Sequence, residues 1–316
     1  MEIENKTGVI EFILLGFPEL HQYQLLLFII ILLAYTLCVL GNMTIISLVK
    51  LDPLLHSPMY LFISTFAVLD IGFVTVTVPK LLINLIAANN SISFVGCFVQ
   101  MFVYDALGAT ECYILLVMAF DQDLAINNPL RYPTIMTRTI CIELAVLPWI
   151  TGLFIACVLM VATVTLEFCG PNEMNHFFCD LPPLQNLACS SSFVSKVLTM
   201  AAAVLNIIFP FSTIMSFYIH IINTVLKIKG SEGQKKAFST CSSHLIVALM
   251  FFGTALIVYI NAKGNQYDKY LALLYTVLTP LLNPFIYTFR NRDVKEAIKK
   301  LIYRGVSLPS SWMATY

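Results

Sequence analysis

Three carboxylates stand deep inside long apolar runs of this chain: Asp70, Asp105 and Glu111. A charge at mid-bilayer costs at least about 2.5–3.5 kcal/mol, so each needs a partner, a proton or a water-filled cavity. Asp105 lies eight residues past Cys97, which at about 1.5 Å rise per residue puts it roughly 12 Å below that helix end. Glu111 is six residues deeper, on another level. No basic residue in the other runs is an evident partner for Asp105, and an unpaired buried acid is costly. Two readings follow. Asp105 is the counter-ion of an amine ligand, or it is a neutral or hydrated acid bonded to Tyr104, Asn206 or Tyr259.

Cysteine is the second chemistry. Of nine, Cys38, Cys112, Cys141, Cys157 and Cys241 lie in or beside apolar runs and read as packing residues. Cys97, Cys169, Cys179 and Cys189 cluster outside the runs. An oxidising compartment favours pairing them, and four cysteines allow three arrangements. His176 to Asp180 has metal-like spacing, but a bridged Cys179 would leave no thiolate for a metal. The third chemistry is electrostatic: Asp121-Gln122-Asp123 closes the third apolar run.

The elements that must position these groups follow from composition. The 316 residues are 59% hydrophobic and only 11% charged, against roughly 25% charged in a soluble domain. Seven apolar runs are long enough to cross a bilayer: Leu25–Val49, Met59–Ala87, Phe98–Asp121, Ile140–Val164, Val197–Val225, Phe238–Ile260 and Tyr270–Phe289. They lack the alternation of barrel strands, so the expected fold is an all-α seven-transmembrane helix bundle.

Thirteen of the 18 Lys and Arg residues fall in the loops after runs one, three, five and seven or beyond. That bias predicts an extracellular N-terminus over 1–24, a bundle over 25–289 and a cytoplasmic C-terminus. Sequons at Asn5 and Asn89 agree. A third match, Asn42-Met43-Thr44, falls inside run one. The first residues lack the basic head of a cleavable signal, so run one is expected to act as its own insertion signal. Residues 290–305 repeat Val294, Ile298, Leu301 and Ile302 at helical spacing with lysines between, as in an amphipathic helix lying on membrane lipids. No Cys follows Cys241, so no palmitoyl anchor is expected there; 306–316 is a short tail.

Four motifs, in order along the runs, carry a resemblance. They are Gly41-Asn42, Leu55-His56-Ser57-Pro58-Met59-Tyr60-Leu61-Phe62, Ala237-Phe238-Ser239-Thr240-Cys241-Ser242-Ser243-His244, and Pro280-Leu281-Leu282-Asn283-Pro284-Phe285-Ile286-Tyr287. Together with Met118–Tyr132 they resemble the odorant receptors, a branch of the rhodopsin-like G-protein-coupled receptors. The resemblance covers nearly the whole chain.

The resemblance implies disulfides Cys97–Cys179 and Cys169–Cys189. It implies a sodium ion at Asp70 and Glu111, with Asn42 and Asn283 beside them; the plain alternative is hydrogen bonding of both acids to those amides and to water. It implies a pocket for a small volatile ligand among Tyr104, Asp105, Gly108, Ala109, Ala202, Asn206, Phe252, Leu256, Tyr259, Ala272 and Leu273. Phe252 stands where the family usually has Tyr. A stimulatory, olfactory-type heterotrimeric G protein is the implied partner, with Asp121, Gln122, Asp123, Tyr218, Lys235, Lys236, Asn283, Pro284 and Tyr287 at the switch. Here the chain departs from the family, which has Asp-Arg-Tyr at Asp121-Gln122-Asp123 and Cys at Asn127. Gln122 carries no charge. Asp121 and Asp123 then need other cations, with Arg131, Lys235 and Lys236 as candidates, and weakened coupling is the expectation.

No nucleophile–base pair or phosphate loop points to an enzyme, and nothing points to nucleic acid. The alternatives are a receptor fold that binds but no longer couples, and a transporter or channel, whose paired broken helices are not evident.

Overall fold

The computed structural model describes the backbone of residues 9–87, 90–227, 231–261, 268–290 and 292–306. It describes their side chains apart from 231–240, 258–261, 289, 290, 292 and 301–306. Asn5 and Asn89 lie outside the described residues, as do the side chains of Lys235, Lys236 and Tyr259.

Seven long helices form a bundle among the described residues. They are α1 (Gln24–Leu51), α2 (Pro58–Ile86), α3 (Phe94–Asn127), α4 (Arg138–Val164), α5 (Phe193–Val225), α6 (Ser231–Asn261), and α7, built from Asp268–Leu273, a π turn Leu274–Leu278 and Thr279–Arg290. A second π turn, Val204–Ile208, interrupts α5. Six of the seven have the length and composition to cross a membrane, and α6 has a described apolar stretch Cys241–Ile257. The chain is a multi-pass membrane protein.

Hydroxyls that hydrocarbon cannot hydrate bond back to their own helices. Thr44 Oγ1 donates to Leu40 O (2.7 Å), Thr151 to Leu147 O (3.0 Å) and Thr163 to Leu159 O (2.8 Å). Thr44 is thus committed within α1, which disposes of the sequon at Asn42. Side chains cap the starts of α3 and α4: Ser93 accepts from Gly96 N (3.1 Å) and Thr137 from Ile140 N (3.4 Å). Pro79, Pro148 and Pro284 sit inside helices, which neighbouring helices make tolerable. Leu25, Ile29, Leu33 and Leu37 of α1 and Leu147, Ile150 and Phe154 of α4 face outward, as lipid requires. Cys157 is also exposed on α4, so it is not the buried packing residue expected, unlike Cys38, Cys112, Cys141 and Cys241.

The segment before α1 is more ordered than a plain N-terminus. Strand β1 (Glu11–Leu14) lies between β2 (Ser91–Ser93) and β3 (Glu173–Met174). It runs antiparallel to β2, with Phe12 opposite Ile92, and parallel to β3, with Ile13 opposite Glu173. Strands of two to four residues have no periodicity for sequence reasoning to detect. Phe12 and Leu14 are fully buried beside Phe94, Phe98 and Phe168. Gly16 leaves the strand in the left-handed region (φ 60°), where a side chain would be strained.

Helix α8 (Arg292–Val306) follows α7. It turns Val294 and Ala297 inward and Lys295, Lys299 and Lys300 outward. Asp293 accepts from Tyr60 (3.0 Å) and Lys300 pairs with Asp52 (3.4 Å), so α8 is held to the ends of α1 and α2.

Candidate functional site: a lidded cavity and a switch

The loop between α4 and α5 crosses the mouth of the bundle. Of the three possible pairings, Cys97 is bonded to Cys179 and Cys169 to Cys189. Gln100 of α3 fixes the crossing: its Oε1 accepts from Cys179 N (2.9 Å) and its Nε2 donates to Val76 O (2.8 Å). Phe177 and Phe178 are fully buried beneath the loop. An aromatic column descends from there, Phe178 to Tyr104 (4.6 Å), Phe73 (4.6 Å), Tyr275 (5.3 Å) and Phe251 (5.3 Å).

Lys269, at the start of α7, closes the lid. It is 1% exposed and donates to both Glu19 oxygens (3.0 Å each) and to Asn175 Oδ1 (3.0 Å). Its ammonium stands over the Phe17 and Tyr270 rings, 5.7 Å from each centroid. The backbone beside Glu19 and the Lys269 hydrogen bond hold the Glu19 carboxyl below its usual range.

His176 lies in the same lid, stacked on Phe177 (5.1 Å), with Nδ1 at 3.2 Å from Phe178 O. Nδ1 therefore carries the proton and donates. Burial lowers its pKa to about 4. Between pH 6.5 and 4 the unfolded chain takes up this proton and the folded chain does not, so stability falls as pH falls. Thermal unfolding followed over that window should show a loss of roughly 3 kcal/mol from this group. His176→Gln is expected to remove that loss; an unchanged pH profile in the variant would refute the assignment.

Under the lid is a cavity of ≈ 100 Å³. Tyr104, Asp105, Gly108, Ala109, Ala202, Asn206 and Ala272, all expected from sequence, line it. Phe252, Leu256 and Leu273 do not. Phe252 is turned toward Phe211 of α5 (5.6 Å), and its neighbour Phe251 takes the wall. Leu256 and Leu273 pack into the surrounding apolar clusters. Tyr275 and the lid residue Asp180 also line the cavity and were missed. Asp180 caps the short helix Leu181–Leu187 by accepting from Leu181 N (2.8 Å). Burial raises its carboxyl to about 6, against the pull of that hydrogen bond. Asp105 takes neither of the protein partners considered for it within the described residues, Tyr104 or Asn206; its Oδ2 and Asn206 Oδ1 are buried without a hydrogen-bond partner among the described residues.

Deeper in the bundle Asp70 accepts from Asn283 Nδ2 (2.9 and 3.2 Å), and the Glu111 carboxyl stands close enough to interact with it. Asn42 does not join them. Its Nδ2 donates to Cys38 O (3.1 Å) within α1. Glu111 Oε1 and Asn283 Oδ1 are buried without hydrogen-bond partners among the described residues. Two acids and an orphaned amide oxygen are the donor set of a hard cation, so these residues fit a small ion.

At the far end of α3 the groups found against Asp121 and Asp123 do not include Arg131 among the described residues, and the side chains of Lys235 and Lys236 lie outside them. Asp121 Oδ1 accepts from Tyr132 (2.8 Å). Asp123 Oδ1 accepts from Asn127 Nδ2 (2.7 Å) and His220 Nδ1 (2.9 Å). A hydroxyl from the segment after α3, an amide one turn along α3 and an imidazole from α5 are the described partners. Gln122 is buried, and its Oε1 accepts from Tyr218 (3.0 Å). His244 Nδ1 is 2.6 Å from the same phenol oxygen, so a proton on Nδ1 satisfies both contacts. Gln122 thereby ties α3 to α5 and α6. Gln122, His244 and Tyr287 share a small void, and Tyr287 packs edge-on against Phe66 (6.3 Å).

Seven helices, a cysteine-tied lid over an enclosed cavity, and a polar cluster linking α3, α5 and α6 at the other end define a heptahelical membrane receptor. A family model described as olfactory receptor matches residues 31–304. Human olfactory receptor 6N1 is 44% identical over 307 residues, 96% of this chain and 98% of that protein. Human olfactory receptor 2A25 is 44% identical over 301 residues, 94% and 97% of the two chains. Olfactory receptor 2A7 of Mus musculus is 42% identical over 301 residues, again 94% and 97%. The chain belongs to the olfactory receptor family.

Proposed function

We propose that this chain is an odorant receptor of the plasma membrane, with its N-terminus and lid outside and α8 on the inner leaflet. A small organic molecule enters the cavity under the lid, and amines are favoured through Asp105. The ligand acts by differential binding to two bundle states, not by chemistry. The partner is a stimulatory G protein of the olfactory type, acting through cyclic AMP. Asp70, Glu111 and Asn283 would hold a sodium ion, whose positive charge would stabilise one of the states. The observation that carries the reading is the lidded cavity with Asp105 Oδ2, which has no hydrogen-bond partner among the described residues.

The cluster at Gln122 favours a second outcome, a receptor that binds but couples weakly. Gln122 offers no charge to a docking partner, and its oxygen is already engaged by Tyr218. Cyclic AMP in cells expressing the chain beside a Gln122→Arg, Asp123→Tyr version, at matched surface level, tests both. The altered version should respond more strongly to the same odorants, by about tenfold or more, and Asp105→Asn should remove responses to amines. Equal responses would show that the arginine is dispensable. Silence from both versions toward amines, acids and neutral odorants would sink the receptor reading.

A further inference from the structure

We propose that the cavity selects a diprotonated diamine, with one ammonium on Asp105 and the other on Asp180. This rests on the cavity being the ligand site, as proposed above, and names the class of ligand.

The two acids come from different parts of the fold. Asp105 belongs to the α3 wall and Asp180 to the lid, yet both line one cavity. They are near enough for their charges to repel. Among the described residues no Lys, Arg or His lines the cavity, and Lys269 in the lid is engaged by Glu19 and Asn175. The buried lining oxygens that lack partners among the described residues, Asp105 Oδ2 and Asn206 Oδ1, are both acceptors. Asp180 uses one oxygen, Oδ1, on Leu181 N. A matching ligand must therefore donate hydrogen bonds and bring positive charge. One ammonium neutralises one carboxylate and leaves the second uncompensated in a mostly apolar enclosure. Ile155, Leu159, Ile207 and Ala255 line the same cavity and supply apolar wall suited to a methylene chain. The same charges reject carboxylates and phosphates.

The test uses the full chain in lipid nanodiscs and reads ligand binding directly, by rise in unfolding temperature and by calorimetry, so that coupling plays no part. The probes are the α,ω-diaminoalkanes from 1,3-diaminopropane to 1,8-diaminooctane, the n-alkylamines of equal carbon number, and a neutral odorant panel. One diamine length should bind best, at least about tenfold tighter than its monoamine. Asp180→Asn keeps the helix cap, since Asn caps as well as Asp. It should erase the tenfold preference for the diamine, while Asp105→Asn weakens diamine and monoamine alike. Equal binding of diamine and monoamine, or no effect of Asp180→Asn, overturns the two-anchor proposal. Binding of neutral odorants alone, blocked by Gly108→Trp in the cavity wall, overturns it too but leaves the cavity reading intact. If nothing binds the parent chain, or if Gly108→Trp leaves binding unchanged, both fall.

Discussion

Replacing Cys97 and Cys179 together by serine should cost the folded receptor about 4–5 kcal/mol. The bond closes a loop of sequence separation 82, and the chain entropy it removes from the unfolded state grows with the logarithm of that length. The Cys169–Cys189 bond closes only 20 residues, so the matching double serine variant should lose about 1 kcal/mol less on the same model. Against a total stability of roughly 5–15 kcal/mol, the first loss leaves little reserve. It also frees the strip that holds Phe177 and Phe178 over the aromatic column, so ligand binding should fail before the helices melt. Thermal unfolding of both double variants in nanodiscs, with binding measured alongside, decides the matter. A Cys97/Cys179 variant that keeps the parent's unfolding temperature would mean that the lid is held by Gln100 and the Lys269 contacts instead.

Gly152→Ala should be as damaging, for a geometric reason. A methyl group there meets Thr110 Oγ1, Ala106 O at 2.6 Å and Thr110 N at 2.9 Å. Two of those three are backbone atoms of α3, which cannot rotate away. The hydroxyl is itself held by its bond to Ala106 O (2.7 Å). The helices α3 and α4 must then separate, which exceeds the usual 1–3 kcal/mol of overpacking. The expected readout is near-complete loss of folded receptor at the surface. Adding Thr110→Ala should not rescue it, because the backbone contacts remain; rescue would show that the side chain was the obstacle.

Much of this architecture is legible in the residues. The helices follow from apolar length, because a bilayer admits few alternatives. Asp105, Gly108 and Asn206 reach the cavity because helix phase is fixed over short distances. Phase is also where sequence reasoning fails. In α7 the wall residues are Ala272 and Tyr275, on either side of the start of the π turn Leu274–Leu278, and Leu273 points away. In α6 the choice between Phe251 and Phe252, adjacent and both aromatic, has no compositional signal. Asp180 lies in a loop, where no period places a side chain. Charge alone points Asp121 and Asp123 toward cations, whereas their partners among the described residues are Tyr132, Asn127 and His220.

The strand before α1 carries a consequence for the order of events during synthesis. Asn172 Nδ2 donates to Glu11 O across 161 residues (2.9 Å), beside the pairing of β1 with β3. At about 5–20 residues per second, β1 waits roughly 10–30 s for that partner to leave the ribosome. By then four of the helices have been made. The cap over the mouth is therefore assembled from the first and middle parts of the chain only after half the bundle exists, and until then Phe12 and Leu14 have no completed pocket to enter. Nascent chains halted just before and just after Asn172 should differ in how readily a protease removes the N-terminal segment.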